Sequence, residues 1–143
     1  MICGFRHVGI VVQNLQKVCN FYVSLGFKIK SRANEKDQFI EKVTGIDKVN
    51  INWVKLGLED GILLELIEYI HPESKKNTAK QMSNRLGVSH MAFDVKEIDD
   101  FCDYIVNLGG SIVNRPMLNE NRSHKVAYCH DIEGNLFEIV ETQ

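Results

Sequence analysis

Apolar positions along this chain fall into two series that repeat one another. In the first, the apolar, β-branched run at residues 7–12 predicts a buried strand. Leu15, Val18, Cys19, Tyr22 and Leu25 follow at helical spacing, which predicts a helix over 15–25 with Asn14 as N-cap and Gly26 at its stop. Residues 27–30 open another strand. Two more are read at 50–56 and 62–69, joined by a turn at Glu59-Asp60-Gly61. The second series predicts a strand over 88–95, a helix over 98–108 stopped by Gly109-Gly110, and strands over 111–113, 125–130 and 135–140, with a turn at 131–134. Each half reads β-α-β-β-β, so the predicted class is α+β, two tandem modules.

The repeat extends to individual residues. Phe5-Arg6-His7-Val8-Gly9-Ile10 returns as Val88-Ser89-His90-Met91-Ala92-Phe93, an offset of 83 from His7 to His90. The closing strands match with an offset of 73 from Glu65 to Glu138. The shortfall of ten fits an insertion in the first copy, in the polar stretch 33–50. Phe39, Ile40 and Val43 within it point to a loop or short helix folding over something apolar. Polar, proline-opened residues after 70 read as a linker. The expected organisation is a first module over 1–70, a linker over 71–86 and a second module over 87–143.

At 143 residues the chain is the size of one domain, and modules this small bury too little surface alone, so the halves are expected to share a core. A net charge of −2 argues against nucleic acid as a partner. Four cysteines lie far apart with no C-x-x-C pair, which reads as reduced thiols rather than a disulfide frame or zinc ribbon. With no signal-peptide pattern and no apolar run long enough to span a membrane, a soluble cytoplasmic protein is expected.

The candidate chemistry lies in the duplicated residues. Strand alternation puts His7 on a face with Phe5, Gly9 and Val11, and Glu65 on one with Leu63 and Ile67; Glu138 shares its face with Leu136 and Val140. A lone strand His is most often a hydrogen-bonded core residue. A carboxylate among apolar neighbours is costly unless it reaches solvent from an edge, pairs with Lys or Arg, or binds a metal. Both halves, however, place His on the first strand and Glu on the last. Two neutral imidazoles and two carboxylates balance a divalent cation, so His7, Glu65, His90 and Glu138 are the candidate ligands. Nitrogen and oxygen donors without thiolate suit Ni, Co, Fe, Mn or Zn. His71, His124 and His130 read as surface residues. The stretch Asn119-Glu120-Asn121-Arg122-Ser123-His124 is either a solvated connection or a loop closing on an anionic substrate, which makes Arg122 and His124 substrate-binding candidates.

Taken together, His7-Val8-Gly9-Ile10, Phe21-Tyr22-Val23-Ser24-Leu25-Gly26-Phe27, Leu63-Leu64-Glu65-Leu66, His90-Met91-Ala92-Phe93-Asp94-Val95 and Asp131-Ile132-Glu133-Gly134-Asn135-Leu136-Phe137-Glu138 resemble the vicinal oxygen chelate superfamily. It includes glyoxalase I, methylmalonyl-CoA epimerase, extradiol dioxygenases, fosfomycin-resistance enzymes and bleomycin-binding proteins. The resemblance covers nearly the whole chain. It implies two modules whose curved mixed sheets pair around one divalent metal, with the ligand positions falling on His7, Glu65, His90 and Glu138. This His/Glu/His/Glu set is that of bacterial glyoxalase I, whereas methylmalonyl-CoA epimerases usually carry Gln where Glu65 stands. Residues 38–46 followed by 64–69 look like a broad group of glyoxalase-like proteins, and glyoxalase I proper does not typically have that insertion.

The resemblance implies a lyase or isomerase acting on a small molecule, with two adjacent substrate oxygens on the metal and a Glu moving a carbon-bound proton. Glu138 is the first choice of base and Glu65 the second. Two alternatives stay open: a metal-free ligand-binding protein of the bleomycin-resistance type, and an extradiol dioxygenase-like enzyme. Uncovered sheet edges and the habit of the resembled family imply a homodimer.

Overall fold

The computed structural model describes residues 1–59, 61–76 and 79–143. Asp60 of the expected hairpin turn, and Asn77 and Thr78 of the expected linker, lie outside the described residues. The fold is α+β, as the pattern predicts, and divides into two compact units, Met1–Lys76 and Asn77–Gln143. No helix among the described residues is long and apolar enough to cross a membrane.

The first unit contains β1 (His7–Val11), α1 (Leu15–Ser24), β2 (Lys28–Glu35), α2 (Gln38–Thr44), β3 (Asn50–Gly57) and β4 (Leu63–His71). Its four-stranded sheet has the order β1-β4-β3-β2, with β1 parallel to β4 and the other pairs antiparallel. Helix α1 starts where Asn14 accepts the Lys17 N–H at 2.9 Å. It stops before Gly26, whose φ of +108° an L side chain rarely adopts. Val18, Cys19, Phe21 and Tyr22 form its buried stripe. The helix packs on β3 and β4, where register puts Val54, Leu56, Leu64 and Leu66 on one buried face.

The opposite face carries Trp53 and Lys55 from β3, Leu63, Glu65 and Ile67 from β4, and His7, Gly9 and Val11 from β1. The insertion folds over one end of this face. Ile40 of α2 is buried with Val49 and Ile51, and Ile46, Trp53, Ile67 and Tyr69 pack against that cluster. Asp37 caps α2 by accepting the Ile40 N–H at 3.0 Å, and Gly45 ends it with φ +69°.

Two expectations for this unit need correction. The first strand is only partly buried, since Val11 is exposed while Val12 at its end is buried. β2 continues to Glu35, inside the stretch assigned to the insertion, because its ladder with β3 holds an almost entirely exposed edge strand that has no apolar alternation to mark it.

The second unit contains β5 (Met91–Asp94), α3 (Ile98–Asn107), β6 (Ser111–Ile112), β7 (Met117–Leu118), β8 (His124–His130) and β9 (Leu136–Thr142). Its sheet has the order β5-β9-β8-β6, with β7 also pairing β8 and β5 parallel to β9. The single long β2 of the first unit is thus matched by two short strands. Pro116 lies between them, and with no N–H it cannot donate to a continuous ladder. The predicted strand over 88–95 begins only at Met91, with Val88 exposed and His90 just ahead of the strand. Ile98, Cys102 and Ile105 are the buried residues of α3, which packs on strands carrying Cys129, Phe137 and Ile139.

Candidate functional site

In the first unit His7 opens β1, and Glu65 is the third residue of the neighbouring β4. The parallel register places Gly9 opposite Glu65. His7 Nε2 lies 3.1 Å from Glu65 Oε2, and Glu65 is only 13% exposed. Its other oxygen, Oε1, lies 3.3 Å from Lys55 Nζ, directly across the β3–β4 ladder. The Lys55 ammonium also sits 4.5 Å from the centre of the Trp53 ring, a cation–π contact. The salt bridge considered for Glu65 is therefore present together with the His contact. His7 Nδ1 is buried and has no hydrogen-bond partner among the described residues.

The second unit repeats the pair. His90 Nε2 lies 3.3 Å from Glu138 Oε2, and Ala92 takes the place of Gly9 opposite the carboxylate. His90 Nδ1 is 3.1 Å from the Ser89 hydroxyl. Across the ladder from Glu138 stands Tyr128 in place of Lys55, and its ring packs edge-on against His90 at 4.9 Å between centroids. Each pair lies on the sheet face away from its unit's long helix, since the flanking residues Leu64, Leu66, Phe137 and Ile139 form the helix-covered side. Within neither unit does a third His, Cys, Asp or Glu among the described residues complete a metal-binding cluster around the pair.

The donor sets fit a divalent ion. Two atoms bound to one ion at about 2.1 Å stand about 3.0–3.4 Å apart for ligand angles between a right angle and the tetrahedral angle. The two His–Glu separations fall in that interval.

The other candidates lie elsewhere. Arg122 and His124 belong to an exposed hairpin between β7 and β8 that closes on itself. Asn119 Oδ1 accepts the Ser123 and His124 N–H groups at 2.9 and 3.1 Å, and Arg122 takes a left-handed φ of +58°. His71 is exposed. His130, expected at the surface, is instead buried at 7% exposure. Its Nε2 is 2.8 Å from the Gln81 carbonyl and its Nδ1 3.4 Å from the Ser111 hydroxyl. Gln81 is itself bonded to Gly134, Ser89 and Leu136, which ties this part of the expected linker into the second unit and covers the histidine. A cleft of about 400 Å³ in the first unit, lined in part by Cys19, Arg32, Asn52 and Glu68, contains neither member of the His–Glu pair.

Lys55 and Tyr128 were not singled out by the pattern. A signal for both exists: once each terminal hairpin is paired about its turn, the residue facing each Glu is fixed, and it is Lys55 in one half and Tyr128 in the other.

Comparison with known proteins extends these internal matches. No match was found among curated proteins. Among solved structures, a glyoxalase family protein from Bacillus cereus superposes with a TM-score of 0.92 at 24% identity, covering 99% of this chain and 95% of the other. The fosfomycin resistance protein FosX from Listeria monocytogenes, complexed with Mn(II) and sulfate, gives a TM-score of 0.61 at 16% identity, over 100% and 95% of the two chains. A mutant of glyoxalase I from Zea mays gives 0.62 at 20% identity, covering 94% of this chain and 43% of that one. The family described as Glyoxalase/Bleomycin resistance protein/Dioxygenase superfamily matches residues 4–139. With that match over nearly its whole length, the chain belongs to the glyoxalase/bleomycin resistance protein/dioxygenase superfamily, the vicinal oxygen chelate fold.

Proposed function

We propose that this protein is a metal-dependent lyase or isomerase of the glyoxalase type, in which His7, Glu65, His90 and Glu138 together hold one divalent ion (Ni, Co, Zn, Mn or Fe). The observation that carries this reading is the duplicated His–Glu contact on the sheet face away from the helix. The superfamily includes metal enzymes, and the Listeria relative is complexed with Mn(II).

When bound, the ion supplies Lewis-acid stabilisation of the negative charge that develops on two adjacent substrate oxygens. The chain's own residues do the remainder. Glu138 is the proposed base, accepting the proton from the carbon next to those oxygens. It faces the uncharged Tyr128, whereas Glu65 is held by Lys55. That difference favours Glu138 as the carboxylate free to leave its place and take up a proton, and Glu65 as the fixed one. General-base catalysis of this kind is worth about 10²–10⁴-fold. The substrate is a small molecule.

The test is a screen of metal-reconstituted protein against glutathione hemithioacetals, acyl-CoA thioesters and small hydroxyketones, read as exchange of a carbon-bound hydrogen in D₂O. Exchange that requires the metal is the expected result. Ligand binding that is indifferent to metal, with no exchange, points instead to a sequestering protein of the bleomycin-resistance type. We also propose a homodimer, supported by the exposed apolar side chains of Phe5, Phe39, Leu86 and Met117. Sedimentation as a monomer at micromolar concentration would count against it.

A further inference from the structure

We propose that Lys55, with Trp53 beside it, is a subsite for an oxyanion carried by the substrate separately from its two metal-binding oxygens. The inference rests on the metal reading above and adds a substrate class to it.

The argument starts from charge. Two carboxylates cancel a divalent ion, so the four donors alone make a neutral site. Lys55 adds one positive charge, and the matched position in the other half is the neutral Tyr128. Without an ion, Glu65 answers the ammonium at 3.3 Å. With an ion bound through the same carboxylate, that negative charge is shared and Lys55 is left under-compensated. A lysine whose side chain is only 25% exposed has limited water to make up the difference.

Geometry then gives the charge a place. Lys55 has three N–H donors, and Glu65 Oε1 uses one of them. The Trp53 ring lies 4.5 Å from the ammonium, on the same sheet face. On that face Lys55 lies beside Glu65 on β3, on the side away from β1, and the next row toward α2 holds Trp53 and Ile67 of the apolar patch on which α2 rests. A ligand reaching from the pair across β4 onto β3 meets Lys55 first, with the indole one row further toward α2. The fitting substrate has vicinal oxygens at one end and a carboxylate or phosphate a few bonds away.

The experiment uses calorimetry on the full chain. Ni²⁺ alone is titrated into wild type, Lys55→Met and Lys55→Arg. The Ni²⁺-loaded proteins are then titrated with hydroxyacetone (neutral), dihydroxyacetone phosphate (a phosphate) and 5-hydroxylevulinate (a carboxylate), which share the same hydroxyketone. Lys55→Met is expected to bind Ni²⁺ about tenfold tighter, since a nearby positive charge is removed. Wild type is expected to prefer at least one anionic probe over hydroxyacetone by about 10–100-fold, the value of a charge-assisted hydrogen bond. The preferred probe identifies which oxyanion the subsite takes. Lys55→Met should lose that preference and Lys55→Arg retain it. Equal binding of all three probes by wild type overturns the proposal without any variant having to fold. A preference that survives in Lys55→Met also overturns it, because the anion would then be bound elsewhere. If wild type takes up no Ni²⁺, the metal reading fails and this inference falls with it. Uptake of Ni²⁺ with no anion preference sinks the subsite alone.

Discussion

His7 meets Glu65 through Nε2 at 3.1 Å while its other ring nitrogen lies buried with no hydrogen-bond partner among the described residues. A buried polar atom without a partner costs about 1–3 kcal/mol relative to solvation. The ring sits on β1, one strand alternation from Gly9, and meets Glu65 across the β1–β4 pairing. Such an arrangement adds little to the stability of the sheet.

That relationship predicts a separation between stability and metal response. Without metal, His7→Ala is expected to unfold within about 1 kcal/mol of wild type, since one modest contact is lost and one orphaned atom is removed. With Ni²⁺ at about a hundred times its dissociation constant, wild type gains about 2.7 kcal/mol, and a chelator reverses the gain. His7→Ala should show little of it. Thermal melts with and without Ni²⁺ and EDTA make the comparison. An equal metal-induced shift in both proteins would remove His7 from the ligand set.

Much of this architecture is legible in the sequence, and what is hidden has physical causes. Both long helices announce themselves through apolar spacing and a stop glycine, and Asn14 caps the first as expected. The His and Glu pairs are visible because duplication sets the same residues at matched positions. β2 is hidden because an exposed edge strand carries no hydrophobic alternation. β7 is hidden because two residues held by a ladder leave no periodic trace. His130 is buried by residues near Gln81 that look like linker, so its surroundings depend on tertiary contacts its neighbours in sequence do not disclose. Lys55 is hidden for a different reason: a lysine in a strand reads as solvent-facing until the register sets it against Glu65.

The thiols give a pH prediction. Cys129 is buried beside Cys102, and burial pushes its pKa from 9.0 up to about 12; Cys102 and Cys19 are raised by burial as well. A thiol whose pKa is raised by folding contributes stability that is fully present below the unfolded value. That contribution is lost as pH climbs, because the unfolded chain releases a proton that the native one retains. Urea unfolding should therefore show falling stability above about pH 9, with a shallower fall in Cys129→Ala. At neutral pH a thiol reagent should modify exposed Cys3 promptly and the other three only on unfolding. Prompt modification of more than one thiol would contradict this burial.

Gly110 predicts a backbone effect. A Cβ there would stand 2.7 Å from the His130 carbonyl oxygen and 2.8 Å from Ile105 Cγ2, with the Ile105 carbonyl at 3.1 Å. Two of those neighbours are main-chain atoms, of β8 and of α3, so the strand and helix themselves must move apart. Gly110→Ala is expected to cost about 1–3 kcal/mol, the usual cost of overpacking. Gly4→Ala, where nothing lies within 4 Å, is the neutral control. Denaturant midpoints of the two variants decide the matter, and equal midpoints would mean that the α3–β6 connection yields without cost.

The base assignment is the sharpest prediction, because the two carboxylates differ in what faces them. Glu65 is clamped between His7 and Lys55, while Glu138 has His90 on one side and the uncharged Tyr128 across the ladder. Glu138→Gln keeps the shape and an oxygen able to coordinate weakly, but the amide cannot take up a proton from carbon. Proton exchange should therefore fall by about 10²–10⁴-fold with metal largely retained. Glu65→Gln should be milder in exchange and harsher on metal content, since it removes the fixed carboxylate and leaves Lys55 unanswered. Deuterium incorporation into the substrate found by the screen, measured beside metal content for both variants, reads the two effects separately. Undiminished exchange in metal-loaded Glu138→Gln would move the base role to Glu65. The clamp by Lys55 would then have to open during each turnover, which Lys55→Met should accelerate.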